Sequence, residues 1–276
     1  MVPITSMDVS IIILNYKQKG LVKQCVKGIL QSHINVSYEI IVVDNHSHDG
    51  CIEMLREIFP QVITLASEKN KGFAYGNNLG IQKSRGKYIV IINPDIAFTD
   101  NVIENMIAYM EKNKNAGIVA PKLINPDGTI QYSCRRFPKI FTPILRRTFL
   151  GNFSFAKKWL NAYLMEDWDH NSNKKVDWIF GAIFMIRKEF LKKVGLFDER
   201  FFLYFEDCDL CRRFWEKNYE VWYLADIELT HYHQRLSGQK NGILSIFDKA
   251  TRIHIASAIK YFAKYLGTSS PRHDKA

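Results

Sequence analysis

Short apolar runs alternate with stretches of helical spacing along the first hundred residues. Val9-Ser10-Ile11-Ile12-Ile13-Leu14 is rich in β-branched side chains and reads as a strand buried on both faces. Leu21, Cys25, Ile29 and Leu30 then recur at helical spacing as far as Gln31. Glu39 to Val43 predicts a second buried strand, and Cys51 to Phe59 a helix stopped by Pro60. Val62 to Leu65 predicts a third strand, Phe73 to Ser84 a helix, and Tyr88 to Ile92 a fourth strand. Strands alternating with helices imply an α/β fold with a mostly parallel central sheet, covered on both faces.

The alternation breaks between about Arg135 and Asn173. Phe, Trp, Lys and Arg dominate there (Arg135-Arg136-Phe137, Arg146-Arg147, Lys157-Lys158-Trp159), which predicts basic amphipathic helices joined by loops. Such a stretch either lies on an anionic membrane surface or packs its aromatics on the main domain. Val176 to Ile186 then reads as a strand region interrupted at Gly181-Ala182. Asp207 to Lys217 reads as a helix, and Tyr219 to Leu224 as a last strand. Beyond Gly242, Ile246, Ala250, Ile253 and Ile255 mark a terminal helix. The expected organisation is one domain over 1–240, carrying an insertion at about 135–175. A helical extension over 241–276 packs on the domain or on a membrane.

Composition narrows the partners. The chain has 276 residues, 47% of them hydrophobic, enough for one sizeable core. The formal net charge of +10 favours anionic partners: nucleic acid, an acidic membrane or phosphorylated substrates. Five cysteines, widely spread, read as reduced thiols, and Cys208 and Cys211 as buried residues on one helix face rather than zinc ligands. No leader pattern and no apolar window near the ~20 residues of a membrane span is present. The expected location is therefore cytoplasmic, with any membrane contact peripheral and on the inner face.

Polar residues gather where the apolar runs stop. Asn15-Tyr16, Asp44-Asn45 and Asn93-Pro94-Asp95 each follow a strand, and ligands of open α/β sheets bind outside those strand ends. Asp44, Asn45 and Ser47 are also plausible caps of the next helix, and Asp95 of one starting near Asp100. Lys69 to Asn78 mixes glycine, amides and lysine ahead of a helix, suited to close approach of a phosphate. Glu206-Asp207-Cys208-Asp209 places three carboxylates in four positions after the apolar run Phe201 to Phe205, a setting for a raised pKa and general-base work. His231 follows the last strand, in His231-Tyr232-His233, and is a candidate metal ligand beside Asp95.

Taken together, these segments resemble family 2 glycosyltransferases of the GT-A fold. The motifs are Val9 to Tyr16, Val42 to Ser47, Asn70 to Asn78, Asn93-Pro94-Asp95 and Gly181-Ala182 with Arg187. Gly195-Leu196-Phe197-Asp198-Glu199-Arg200 running into Glu206 to Arg213 is most similar to the rhamnosyltransferase-like branch. The resemblance implies that Asp44 holds the nucleobase, with Asn15, Tyr16 and Asn45 around it, and that Lys71, Gly72, Asn78 and Asn93 flank the sugar donor. It implies Asp207 as catalytic base with Glu206 beside it, and an acceptor segment at Trp178, Gly181 and Ala182. It also implies a divalent cation, Mg or Mn, held by Asp95 and His231, although Asn93 stands where the family's DxD motif has its first acid.

The expected activity is inverting transfer of a sugar from a nucleoside diphosphate to a glycan hydroxyl, in cell-surface polysaccharide synthesis. Rhamnose from dTDP-rhamnose is the leading donor and a UDP-hexose the alternative; a lipid-linked saccharide is the leading acceptor. A non-enzymatic nucleic-acid binder would also explain the charge, but gives no reason for carboxylates at strand ends; nucleic acid is not expected as a partner.

Overall fold

A computed structural model describes residues 7–147, 149–232 and 249–272. It opens with β1 (Val9–Asn15), α1 (Lys19–Gln31), β2 (Tyr38–Asp44), α2 (Cys51–Ile58), β3 (Ile63–Ala66), α3 (Phe73–Lys83) and β4 (Tyr88–Ile92). Each falls within two residues of the sequence expectation. β1 pairs in parallel with β2 and β4, and β2 with β3. Alternation along the strands splits the core in two. Ile11, Ile13 and Val42 pack with Val22, Leu55 and Met106 of the helices on one face. Ile12, Ile41 and Val43 pack on the other. α3 lies close on β1 because Gly76 and Gly80 have no side chain: a Cβ there would stand 2.3 Å from Leu14 and 2.6 Å from Ile12.

The second half widens the sheet. β5 (Ile96–Ala97), α4 (Val102–Lys112), β6 (Ala116–Ile124), β7 (Ile130–Gln131) and β8 (Cys134–Arg135) lead into the insertion. There α5 (Thr142–Arg147), a 3₁₀ turn at Phe149–Asn152 and α6 (Ser154–Leu164) follow one another. β9 (Lys174–Lys175), β10 (Trp178–Ile179), β11 (Ile183–Arg187), α7 (Leu191–Val194), α8 (Glu206–Glu216), β12 (Glu220–His231) and α9 (Lys249–Lys264) complete the chain. The strand order is β3-β2-β1-β4-β11-β6-β12-β5. Most of the ladder is parallel, and β11 runs antiparallel between β4 and β6.

β6 is the longest strand that the hydrophobic pattern does not reveal. Gly117, Pro121 and Lys122 interrupt its apolar run, and its pairing with β12 slips just past Pro121, between Leu224 and Glu228. A proline cannot donate to a ladder, so a register shift there is the expected accommodation.

The terminal helix docks on the domain. Ala258 and Tyr261 are buried in the same cluster as Cys208 and Cys211, whose thiols burial pushes up. Buried Asp209 accepts from Arg213 Nε at 2.8 Å and Tyr265 Oη at 2.8 Å, and pairs with Lys264. Ile246 and His233 lie outside the described residues.

Candidate functional site

The first corner of the site joins the ends of β1 and β2. Asn15, fully buried, donates Nδ2 to Asp44 Oδ1 at 2.7 Å and to Ser47 Oγ at 3.1 Å, while its Oδ1 accepts from Gln18 N at 3.0 Å. Asp44 Oδ2 accepts from Ser47 N at 3.0 Å. Neither Asp44 nor Asn45 caps α2: the cap position is Gly50, and Asp49 Oδ1 accepts from Cys51 N. Each Asp44 oxygen keeps a further lone pair for a ligand. Tyr16 is exposed beside this cluster. Asn45 donates to Asn70 Oδ1 and to the Gly72 carbonyl, and its buried Oδ1 has no partner among the described residues.

The glycine loop is locked to the acidic loop. Gly72 adopts φ +96°, a Cβ there would stand 2.0 Å from the Phe202 carbonyl oxygen, and Phe73 N donates to that oxygen at 2.7 Å. Lys71 lies over the Tyr75 ring at 4.4 Å. Asn78 does not open onto this loop through its amide. Its Nδ2 donates to Phe197 O and Glu199 Oε1, and its Oδ1 accepts from Phe197 N, so it clamps the segment ahead of α8.

Phe180-Gly181-Ala182 is the hinge of the site. Phe180 N donates to Ser133 O, Gly181 N to Asp207 Oδ2 at 2.9 Å, and Asn93 N to Ala182 O at 2.7 Å. The end of β4, the start of β11 and the start of α8 therefore meet at three consecutive residues. On one side, the Phe180 ring lies 6.4 Å from the His231 ring, centre to centre. His231 is buried between Asp95 Oδ1, 3.1 Å from Nε2, and Gln131 Oε1, 2.6 Å from Nδ1. Gln131 at Nδ1 is an outer partner of the kind that orients a metal-ligating histidine, and it leaves Nε2 turned to the Asp95 carboxylate. Among the described residues, no three His, Cys, Asp or Glu side chains gather to hold a metal. Asp95 does not cap a helix: α4 starts from Asn101 in the left-handed region.

On the other side stand the acids. Burial pushes Asp207 up to about 6, against the opposing pull of the Cys208 and Gly181 amides and the Arg135 charge. Burial and then the Asp207 charge hold Glu206 well above the usual carboxylate range, and its Oε2 has no partner among the described residues. Asp209 is different: its ion pairs tie α9 to α8, so only two of the three carboxylates face the site. Trp178 is buried and donates Nε1 to Arg136 O at 2.9 Å, leaving its ring beside the Arg135 guanidinium, 5.3 Å away.

Gln131, Asp49 and Arg135 are site residues that the hydrophobic pattern does not single out. Gln131 and Arg135 sit on two-residue strands, too short to carry a period, and only the pairing of Arg135 with Trp178 brings that guanidinium to the hinge. The DNHSHDG run after β2 is the one local signal for Asp49.

Comparison with known proteins adds family context. A family model described as glycosyl transferase family 2 matches residues 10–195. An N-acetylglucosaminyl-diphospho-decaprenol L-rhamnosyltransferase of Mycobacterium tuberculosis is 26% identical over 229 residues, 79% of this chain and 74% of that protein. Rhamnosyltransferase WbbL of Escherichia coli K12 is 25% identical over 277 residues, 97% of each chain. A low-salt glycan biosynthesis hexosyltransferase, Agl10 of Haloferax volcanii, is 25% identical over 228 residues, 81% of this chain and 67% of that one. Among solved structures, GalNAc-T7 with UDP, GalNAc and Mn2+ superposes with a TM-score of 0.61 at 14% identity, over 83% of this chain and 44% of that one. Staphylococcus aureus TarS residues 1–349 gives 0.54 at 13% identity, over 82% and 60%. These two likenesses establish a GT-A architecture.

Proposed function

From the premise that the chain belongs to glycosyl transferase family 2 and is a glycosyltransferase, we propose that it transfers rhamnose from dTDP-rhamnose to a hydroxyl of a lipid-linked saccharide, with inversion, for a cell-surface polysaccharide. The observation that carries the reaction is Asp207, a buried carboxylate held by the Gly181 amide beside the end of β4. Its unprotonated form takes the proton of the acceptor hydroxyl as that oxygen attacks the anomeric carbon. The bond from that carbon to the diphosphate breaks on the opposite face. With Asp207 acting as base on the acceptor and not as nucleophile, transfer is a single displacement, hence inversion. Glu206, protonated by its surroundings, donates a hydrogen bond to the acceptor and leaves the charge to Asp207.

Donor roles follow the first corner. Asp44 accepts from the nucleobase, Asn15 and Tyr16 line the same pocket, and the spare Asn45 Oδ1 accepts from the donor. Lys71, Gly72 and Asn93 border the diphosphate and sugar, and Asn78 holds the loop that closes over them. Trp178, Gly181 and Ala182 border the acceptor. A carboxylate oxygen and an imidazole nitrogen 3.1 Å apart fit Mn2+ better than the oxygen-seeking Mg2+, and either would fill its remaining positions with phosphate and water. Asp95 and His231 are the residues that would hold such an ion, and when bound it supplies charge neutralisation at the leaving diphosphate.

Two rhamnosyltransferases among the relatives support the donor reading, and the mycobacterial protein's name supports a lipid-diphosphate acceptor. The hexosyltransferase relative favours a UDP-hexose as the second reading. Action at the inner membrane face is part of the proposal; no helix among the described residues is long and apolar enough to cross a membrane. Calorimetry with dTDP and UDP tests the donor corner. Wild type binds one of them with a dissociation constant at least tenfold lower than Asp44→Ala does, while equal binding by the two proteins removes Asp44 from the site.

A further inference from the structure

The insertion exposes an apolar ridge set in positive charge. Between Tyr132 and Met165 the chain has seven Lys and Arg and no Asp or Glu. Ile140, Phe141, Ile144, Phe153, Phe155 and Trp159 are all exposed large hydrophobics, with Phe141 at 62% and Phe155 at 69%. Phe155 and Trp159 are one helical turn apart on α6, so they share a face, and exposed Lys157 and Lys158 flank them. The Phe153 and Phe155 rings stack at 6.1 Å, and Lys139 lies over the Trp159 ring at 4.4 Å. The same α6 turns its other side inward, burying Ala156 and Tyr163. The helix is thus anchored through one face while the other presents rings to solvent.

We infer that this ridge docks on an anionic lipid surface, with Phe141, Phe155 and Trp159 entering the interface and Lys139, Lys157 and Lys158 meeting the headgroups. Aromatic rings bordered by cations on an otherwise acid-free segment match such an interface in both polarity and charge. A second copy of this chain is a poor occupant, because a two-fold contact would bring the same cationic face against itself. The ridge is also continuous with the acceptor edge of the site. The Arg146 and Arg135 guanidiniums lie 5.8 and 5.9 Å from the Tyr163 ring, and Arg135 is 5.3 Å from the Trp178 ring. A cationic path therefore leads from the ridge to the residues beside Asp207. It gives a lipid-borne, phosphate-bearing acceptor a route from membrane to base. That last link rests on the proposed glycosyl transfer, whereas the docking itself does not.

The test is co-sedimentation with phosphatidylcholine vesicles, with and without phosphatidylglycerol. Wild type sediments with the anionic vesicles only. Phe141→Ser/Phe155→Ser and Lys157→Glu/Lys158→Glu each lower its partitioning by about tenfold or more. Both variants keep the wild-type melting temperature and nucleoside diphosphate binding. If the aromatic pair fails to fold, the charge pair decides alone. The inference is overturned if wild type stays in the supernatant with anionic vesicles, or if a folded variant sediments as wild type does. It is also overturned if the ridge instead mediates self-association that those substitutions abolish. Absence of nucleoside diphosphate binding in wild type would remove the transferase reading and leave the docking result standing.

Discussion

Asp207 and Glu206 carry a conflict between stability and chemistry. A carboxyl whose folded pKa lies above its unfolded value stabilises the fold while protonated. For Asp207 that stabilisation is fully present below its ordinary 3.8 and is lost as pH rises through about 6. Glu206 is shifted in the same direction by burial first and the Asp207 charge second, so its stabilisation too is lost as pH rises. Glu206→Gln removes one ionisation from the pair. Its melting temperature relative to wild type is expected to rise between pH 5 and pH 8, by about 3 to 8 °C. A gap that stays constant over that range would mean that folding does not raise the pKa of Glu206. The proposed base must be unprotonated to act, so turnover is expected to climb with pH through about 6.

At the scale of elements, the site depends on loops that are fixed to one another. Gly72 shows this most sharply, since its backbone conformation is open to glycine almost alone and its Cα faces the Phe202 carbonyl. Gly72→Ala costs about 1–3 kcal/mol for the backbone conformation, before the overlap with Phe202 is counted. A lowered melting temperature and lost transfer are expected; unchanged melting would mean that the two loops are not coupled as described. Asp209 sets a contrast within α8. Its pairs with Arg213 and Lys264 are structural, so Asp209→Ala is expected to cost about 3 kcal/mol in thermal or urea unfolding while nucleoside diphosphate binding stays. Loss of that binding with full stability would contradict this division.

The sequence made β1 to β4 and α1 to α3 legible because each has one unbroken period. It left β6 hidden behind Pro121, and it left β7, β8 and β9 hidden because two residues carry no period. The strand-end residues Asn15, Asp44 and Asp95 were legible for the same reason their strands were. Asn78 could be located but its work could not, since the loop it clamps lies 119 residues away in sequence.

For the whole molecule, one open sheet brings three strand ends and one helix start to a common edge, and the insertion adds a basic flank beside it. The +10 charge is then partly local: seven of the cationic residues lie in the acid-free stretch from 132 to 165. This architecture is shared with structures at 13–14% identity, so the fold alone does not specify the reaction. In the proposed reaction, Asp207 drives sugar transfer from a nucleoside diphosphate. The most direct measurement is release of nucleoside diphosphate from a panel of dTDP-, UDP- and GDP-sugars, with a lipid-diphosphate-linked N-acetylglucosamine acceptor and Mn2+ or Mg2+. Wild type is expected to use one donor, to stop when EDTA removes the metal, and to fall by about 10²–10⁴ in Asp207→Asn with donor binding kept. Undiminished release by a folded Asp207→Asn protein would contradict the account.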